Sequence, residues 1–290
     1  VTAPALLAGK TVVVTGGSLG IGLACAEECL RSGAQVVICA RGKGALDEAR
    51  QALEAIPGAR VRSVRADVAE ARDVERVVDA ALELSGEGLH GVVHSAGVYG
   101  PIGPVVKVDP DEWLEAVRVN LFGTFLVARA ACRRMIERGT KGSIVLMSGG
   151  GAATPFANYT AYACGKVGVV RLTETLALEV ASHGVRVNCI APGFVATRLH
   201  AQTLEAGEAL AGSFVETTKQ QLAKGGVPPT VAARTAAFLL SDRAAGITGR
   251  FVAAPYDEWE RWPERLEQIA GSDLFTLRRI VPRDRGMDWQ

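Results

Sequence analysis

Short apolar runs recur along the chain, separated by longer stretches in which apolar positions return every three or four residues. TVVVTGG (11–17), QVVICA (35–40), LHGVVHSAG (89–97), GSIVLMS (142–148) and VRVNCIAPG (185–193) read as strands buried on both faces. RVRSVRAD (60–67) alternates Val with Arg, which suits a strand nearer the sheet edge. Helical spacing fills the gaps. Leu23, Ala26, Cys29 and Leu30 share one face of a helix stopped by Gly33, GALDEARQALEAI (44–56) ends at Pro57-Gly58, and DVERVVDAALEL (73–84) follows. Residues 109–138 predict one long helical segment entered through Asp109-Pro110, an N-cap and first-turn pair. Residues 159–182 predict a second long helix. Strands alternating with helices predict an α/β fold, one parallel sheet wound on both faces. No internal repeat and no linker precede residue 250, so the expected organisation is a domain over 1–250 and an extension over 251–290.

Composition narrows the classes. The 290 residues are 48% apolar and 22% charged with a net charge of +1, and there is no long basic run to bind nucleic acid. The longest charge-free run, 142–165, is broken by Gly142, Gly149, Gly150, Gly151 and Pro155, so no membrane span is expected. VTAPALLAGK (1–10) reads as a short lead-in and not as a secretory signal. Six cysteines without a CxxC pair are expected to be reduced and mostly core residues, pointing to the cytoplasm and to no metal site.

Between the first strand and first helix lies T-G-G-S-L-G-I-G (15–22), where glycines let a pyrophosphate approach the backbone and a helix N-terminus supplies free N–H groups. The spacing of Gly16, Gly20 and Gly22 is not GxGxxG, so the strand–turn–helix context carries the signal. A reader of a ribose 2′-hydroxyl would be Asp or Glu at the end of the second strand. Ala40 stands there instead, followed by Arg41, with Lys43 close by, which suits the 2′-phosphate of NADP(H) over NAD(H). A solvated surface arginine is the bland alternative.

At this point the chain resembles the short-chain dehydrogenase/reductase family, the kind that includes ketoacyl reductases and hydroxysteroid dehydrogenases, over about 8–250. TGGSLGIG matches TGxxxGIG and Ala66-Asp67-Val68 matches the D-[VL] pair. Asn120 matches the family asparagine, Tyr162 to Lys166 matches YxxxK, and Pro192-Gly193 to Thr197 matches PGxxxT. The resemblance implies a Rossmann-like fold, hydride transfer between NADP(H) and a ketone or secondary alcohol, and a homodimer or homotetramer. It places cofactor contacts at Gly16, Ser18, Leu19, Gly20, Ile21, Gly22, Arg41, Asp67, Val68, Ser95, Ala96, Gly97, Tyr162, Lys166, Pro192, Gly193, Val195 and Thr197. It makes Asn120, Ser148, Tyr162 and Lys166 the catalytic set, with Asn120 holding a water that links Lys166 to solvent.

Two departures stand out. The family's NNAG is His94-Ser95-Ala96-Gly97 here, and a lone His94 in a strand is expected to be structural. The family's serine, about thirteen residues before the tyrosine, falls on Gly149. Ser148 lies one residue earlier, so either the loop holds an extra residue and Ser148 still points inward, the favoured expectation, or the serine is missing. Only Tyr162 has a lysine four residues on, which makes Tyr159 a wall residue alongside Tyr99, Pro155 and Phe156. Lys166 and a positive nicotinamide should pull the Tyr162 pKa down by roughly 1–3.

Residues 200–229 lie where the family places a mobile substrate lid. The tail holds Trp259, Trp262 and Trp289, a short helix over 263–271 and a basic extended run over 277–286. It reads as a clamp on its own or a neighbouring subunit, or as a source of arginines (Arg278, Arg279, Arg283, Arg285) for an anionic substrate. Two other classes remain: a catalytically silent cofactor-binding or scaffold protein on this fold, and a sugar-nucleotide epimerase or dehydratase, whose shorter-spaced glycine loop and large substrate domain this chain does not show.

Overall fold

The buried Val and Ile runs pair side by side into one seven-stranded parallel sheet. The computed structural model describes residues 5–288, so Trp289 lies outside the described residues. The strands are β1 Thr11–Thr15, β2 Gln35–Ala40, β3 Arg60–Arg65, β4 Gly91–His94, β5 Ser143–Met147, β6 Arg186–Ala191 and β7 Phe251–Ala253. Their order is β3-β2-β1-β4-β5-β6-β7. β3 is an edge strand, and Arg60, Arg62 and Arg65 turn outward along it. β7 lies in the segment beyond residue 250 and pairs with β6.

The helices are α1 Gly20–Arg31, α2 Lys43–Glu54, α3 Ala71–Ser85, α4 Pro110–Val117, α5 Gly123–Glu137 and α6 Thr160–Glu179. They continue as α7 Arg198–Ala211, α8 Phe214–Ala223, α9 Pro229–Leu240 and α10 Leu266–Ala270. Two cores sandwich the sheet. One joins α1, α2 and α9 through Cys25, Cys29, Leu46, Ala233, Ala236 and Leu239, and the other joins α3, α5 and α6 through Val77, Ala131, Met135 and Val170. Both faces of the central strands are thereby closed to water, which explains why they carry no polar alternation. None of the described helices is long and apolar enough to cross a membrane.

The expected single helix over 109–138 is broken. Asp109 caps α4 as its motif predicts, its Oδ1 accepting from the backbone N–H of Asp111 (2.9 Å) and Glu112 (3.0 Å). A π-helical turn over Arg118–Phe122 then separates α4 from α5. Such a turn adds one residue to the helical ring and rotates a side chain off the regular face. Here it carries Asn120.

Strand order reverses between β1 and its neighbours β2 and β4, so the loops leaving β1 and β4 diverge and open a crevice at their carboxyl ends. That crevice is where the glycine loop, the β4 loop and the start of α6 meet.

Candidate active site

The loop after β1 is built for an anion. A Cβ on Gly16 would lie 2.8 Å from the Ala96 backbone nitrogen, one on Gly22 would run into the Gly16 carbonyl, and Gly20 holds a φ of +56°. Side chains are excluded, and the backbone of Gly16 lies directly against the β4 loop. Leu19 caps α1 without any side-chain hydrogen bond, and no acidic residue occupies the first turn. The first N–H groups of a three-turn helix therefore face the crevice without a side-chain acceptor, the arrangement a pyrophosphate satisfies. Ser18 is half-buried and Ile21 likewise, while Leu19 is exposed beside them. Thr197, at the N-terminus of α7, brings its methyl carbon to 3.5 Å from a Cβ built on Gly20, so the Pro192–Thr197 loop closes over the same space. Gly193 takes a φ of +77°, and Val195 is buried beneath it.

At the far end of the crevice, Arg41 follows β2 with its side chain largely exposed and its Nη1 3.9 Å from Asp67 Oδ2. Asp67 Oδ1 accepts from the Ala69 N–H at 2.9 Å, which fixes the carboxylate, and Val68 is buried behind it. So loose an ion pair leaves the Arg41 guanidinium free for another anion.

The β4 loop is clamped by Asn120. Its Oδ1 accepts from the Val98 N–H (3.0 Å), its Nδ2 donates to the Val98 carbonyl (2.8 Å), and its own carbonyl accepts from Thr124 Oγ1 (2.6 Å). A Cβ on Gly97 would sit 2.9 Å from Asn120 Oδ1 and 3.3 Å from Lys166 Nζ, and one on Gly165 would sit 2.9 Å from Asn120 Cβ. Asn120 thus joins the β4 loop to α6 through glycine-sized contacts. Its side-chain amide holds the loop through one N–H and its oxygen, leaving a second amide N–H outside these bonds.

Ser95 and Ala96 hang from β1, the Ser95 N–H donating to the Thr15 carbonyl (3.2 Å) and the Ala96 N–H to Thr15 Oγ1 (3.4 Å). The same Thr15 hydroxyl lies 2.8 Å from His94 Nδ1, so His94 is a strut between strands. Its Nε2 is buried without a partner among the described residues. Burial first, then the charge of Lys166, pushes the His94 pKa down to about 3. Between that value and the ordinary 6.5 the unfolded chain binds more protons. This contribution to stability is therefore whole above about pH 6.5 and is lost as the pH falls toward about 3. The urea midpoint is expected to drop between about pH 7 and about pH 5, and His94→Asn should flatten that drop. Parallel drops in both proteins would exclude His94 as the cause.

Tyr162 and Lys166 share one face of α6. Lys166 is buried, its Nζ donates to the Met147 carbonyl at 2.8 Å, and burial pulls its pKa down to about 8. The Tyr162 ring stands edge-on to Tyr99 (4.9 Å) and to Phe156 (6.3 Å). Its pKa is pushed up by burial to about 12, against the expected lowering. The reason is where the ammonium points: Lys166 Nζ is 5.6 Å from the Tyr162 ring centroid and is committed to a carbonyl.

Ser148 is not brought to the Tyr162 hydroxyl. It is buried, and its Oγ donates to the Lys166 backbone carbonyl at 3.0 Å. The extra-residue expectation therefore gives way: residue 149 is the one that abuts Tyr162, with a Cβ there only 3.2 Å from Tyr162 Cζ.

The wall residues lie as expected, with additions the sequence did not announce. Tyr99 and Tyr159 are buried and Phe156 stacks on Tyr159 at 4.2 Å, whereas Pro155 is exposed. Helices α7 and α8, with the loop before them, supply the rest. Tyr159 Oη lies 2.9 Å from Thr203 Oγ1, Tyr99 Oη lies 3.1 Å from His200 Nδ1, and Phe214 packs edge-on to Phe156. Phe194 stacks on His200 at 3.8 Å. In sequence these residues sit among Ala and polar positions without a period that would single them out.

The family model described as enoyl-(acyl carrier protein) reductase matches residues 16–254. The 3beta-hydroxysteroid dehydrogenase 1 of Eggerthella lenta is 38% identical over 84% of this chain and 91% of its own. A 2,5-dichloro-2,5-cyclohexadiene-1,4-diol dehydrogenase of Sphingobium indicum is 33% identical over 86% of this chain and 96% of its own. The crystal structure of NAD+-bound xylitol dehydrogenase superposes with a TM-score of 0.78 at 27% identity, covering 85% of this chain and 97% of that one. The chain belongs to the short-chain dehydrogenase/reductase family and is an NAD(P)-dependent oxidoreductase of CH–OH groups.

Proposed function

We propose that this protein transfers hydride between NADP(H) and a ketone or secondary alcohol carried on a ring, with Tyr162 as general acid in reduction and general base in oxidation. The observation that carries the reading is the convergence of the glycine-rich Gly16–Gly22 loop, the Pro192–Thr197 loop and the Tyr162–Lys166 pair on one crevice. Residues 16–22 would hold the pyrophosphate on the α1 N-terminus, and Arg41 the 2′-phosphate, with Asp67 and Val68 beside the adenine. Ser95, Ala96, Gly97, Pro192, Gly193, Val195 and Thr197 would line the nicotinamide end. When bound, the nicotinamide supplies or accepts the hydride.

The chain's own part is alignment and the proton. Tyr162 Oη faces the crevice at the start of α6, where it can donate its proton to a carbonyl oxygen as that oxygen gains charge. Lys166 keeps positive charge beneath the ring and Asn120 holds the β4 loop in register with it. Tyr99, Phe156, Tyr159 and Phe214 form an apolar aromatic cluster packed mostly edge to face beside Tyr162, with Phe156 and Phe214 half-buried, an apolar border in keeping with the steroid and cyclohexadienediol named for the two curated relatives.

NADPH and NADH titrations followed by a panel of cyclic ketones test the reading. NADPH should bind tighter, and Arg41→Ala should weaken NADPH on the order of 10–100-fold, the loss of one charge-assisted contact, while leaving NADH nearly unchanged. Equal weakening of both would remove Arg41 from the 2′-phosphate. Binding without turnover on any ketone would favour a silent protein.

The same preparation should show a mass twice or four times 30.4 kDa, since Phe122 of the π-helical turn, Phe125 of α5 and Val167 and Leu178 of α6 leave apolar surface exposed. A single-chain mass would rule the oligomer out. Six unpaired cysteines, five of them buried, suit a reducing compartment such as the cytoplasm.

A further inference from the structure

We propose that Gly149 is a positioning residue for Tyr162. The absence of a side chain at 149 sets where the catalytic hydroxyl stands, and it leaves Tyr162 as the single side-chain hydroxyl presented to the substrate oxygen. The inference deepens the functional reading above and rests on it for the word catalytic.

Backbone conformation does not call for glycine at this position. Gly149 has φ −174° and ψ 176°, extended backbone that any residue adopts. Space does. A Cβ on Gly149 would overlap Tyr162 Oη and come within 3.2 Å of Cζ and 3.4 Å of Cε1. On one side the tyrosine cannot retreat, because its ring stands against Tyr99, which is 3% exposed, and Tyr99 in turn packs on the fully buried Tyr159, so relief of the overlap moves the hydroxyl toward the crevice, where the half-buried Tyr162 is open.

The neighbouring glycines differ. A Cβ on Gly150 would meet nothing within 4 Å, and one on Gly151 would face Ala163 and Phe156, not the tyrosine. Of the three glycines, only Gly149 touches the hydroxyl. Ser148 does not stand in for a donor there, since its Oγ is spent on the Lys166 carbonyl. Among the described residues no side chain hydrogen-bonds Tyr162 Oη, so the oxygen of the substrate meets one hydroxyl where the family pattern provides two.

A double-mutant cycle reads this without any activity. Gly149→Ala should lower the thermal midpoint of the otherwise wild-type protein, and the same substitution in the Tyr162→Phe background, where the overlapping oxygen is gone, should lower it by less than half as much. Gly150→Ala should leave the midpoint unchanged in both. Equal losses from Gly149→Ala in the two backgrounds would overturn the proposal.

Kinetics add the second readout. Gly149→Ala should cut kcat on the order of 10–100-fold with cofactor affinity intact, as displacing a reacting group by about an ångström does. The alkaline titration of Tyr162, taken as the tyrosinate absorbance of each protein minus that of its Tyr162→Phe counterpart, should shift its midpoint. A Gly149→Ala protein with wild-type kcat and wild-type titration overturns the proposal, as does a Ser148→Ala loss of 10²–10³-fold, the size of a missing oxyanion donor. Should the wild-type protein turn over no ketone at all, the functional reading fails while the stability cycle and the titration still decide the role of Gly149.

Discussion

Replacing Tyr162 with Phe is expected to remove turnover by about 10²–10⁴-fold while NADPH binding is retained. The substitution deletes one oxygen from a ring that keeps its edge contacts with Tyr99 and Phe156, so the wall should hold its shape. The cofactor loop is built from backbone and does not touch that oxygen. The free-protein pKa values also fix a direction. With Tyr162 raised to about 12, the hydroxyl carries its proton at neutral pH and is ready to act as an acid for ketone reduction. Alcohol oxidation needs the deprotonated form, so its kcat/KM should climb with pH across the range where reduction does not. Steady-state rates in both directions, with fluorescence titration of NADPH, check both statements. A Tyr162→Phe enzyme with more than a tenth of wild-type turnover would remove Tyr162 from the proton's path.

Much of this architecture is written in residue patterns that have one physical solution. Five runs of consecutive apolar residues can be buried only between two layers of helix, and the alternating Arg of β3 can exist only at an edge. The glycine loop is legible because sterics and helix dipole act over a few adjacent residues. Features set by contacts between distant segments were not. The π-helical turn at Arg118–Phe122 interrupts an apolar period that continues on both sides, and only Asn120 reaching back to Val98 shows why it is there. The direction of Ser148 follows from the Lys166 carbonyl eighteen positions later. The Tyr162 pKa depends on whether Lys166 Nζ turns to the hydroxyl or to Met147, which the spacing of four along α6 does not determine. The α7 residues His200 and Thr203 acquire meaning only once Tyr99 and Tyr159 are seen beneath them.

Trp262→Ala is expected to destabilise the protein by about 3–5 kcal/mol, lowering the thermal midpoint on the order of 10 °C, although it lies outside the family pattern and far along the tail. The tail is held by its own subunit. Trp259 is buried against Phe238 of α9 and donates its indole N–H to the Ala254 carbonyl (3.1 Å), and Trp262 packs on Phe275 at 4.3 Å. Phe275 then accepts the Phe251 N–H (2.8 Å), and the Arg250 guanidinium donates to the carbonyls of Ser272 (3.0 Å) and Leu274 (2.8 Å). These bonds cover the outer edge of β7, which would otherwise present unpaired backbone groups to solvent. Further on, Leu277 is fixed to α6 by Glu174 and Arg171. Cutting after Gly249 would take β7 from the sheet, so single substitutions are the cleaner probe. Arg278 pairs with Asp273 and Asp284 on the tail itself, an exposed pair screened by solvent, so Arg278→Ala should leave both the thermal midpoint and the substrate preference as they were. Thermal unfolding of the two variants side by side separates the cases. If Trp262→Ala melts with the wild type, or if Arg278→Ala alters the ranking of ketones, the tail is not the clamp these contacts describe.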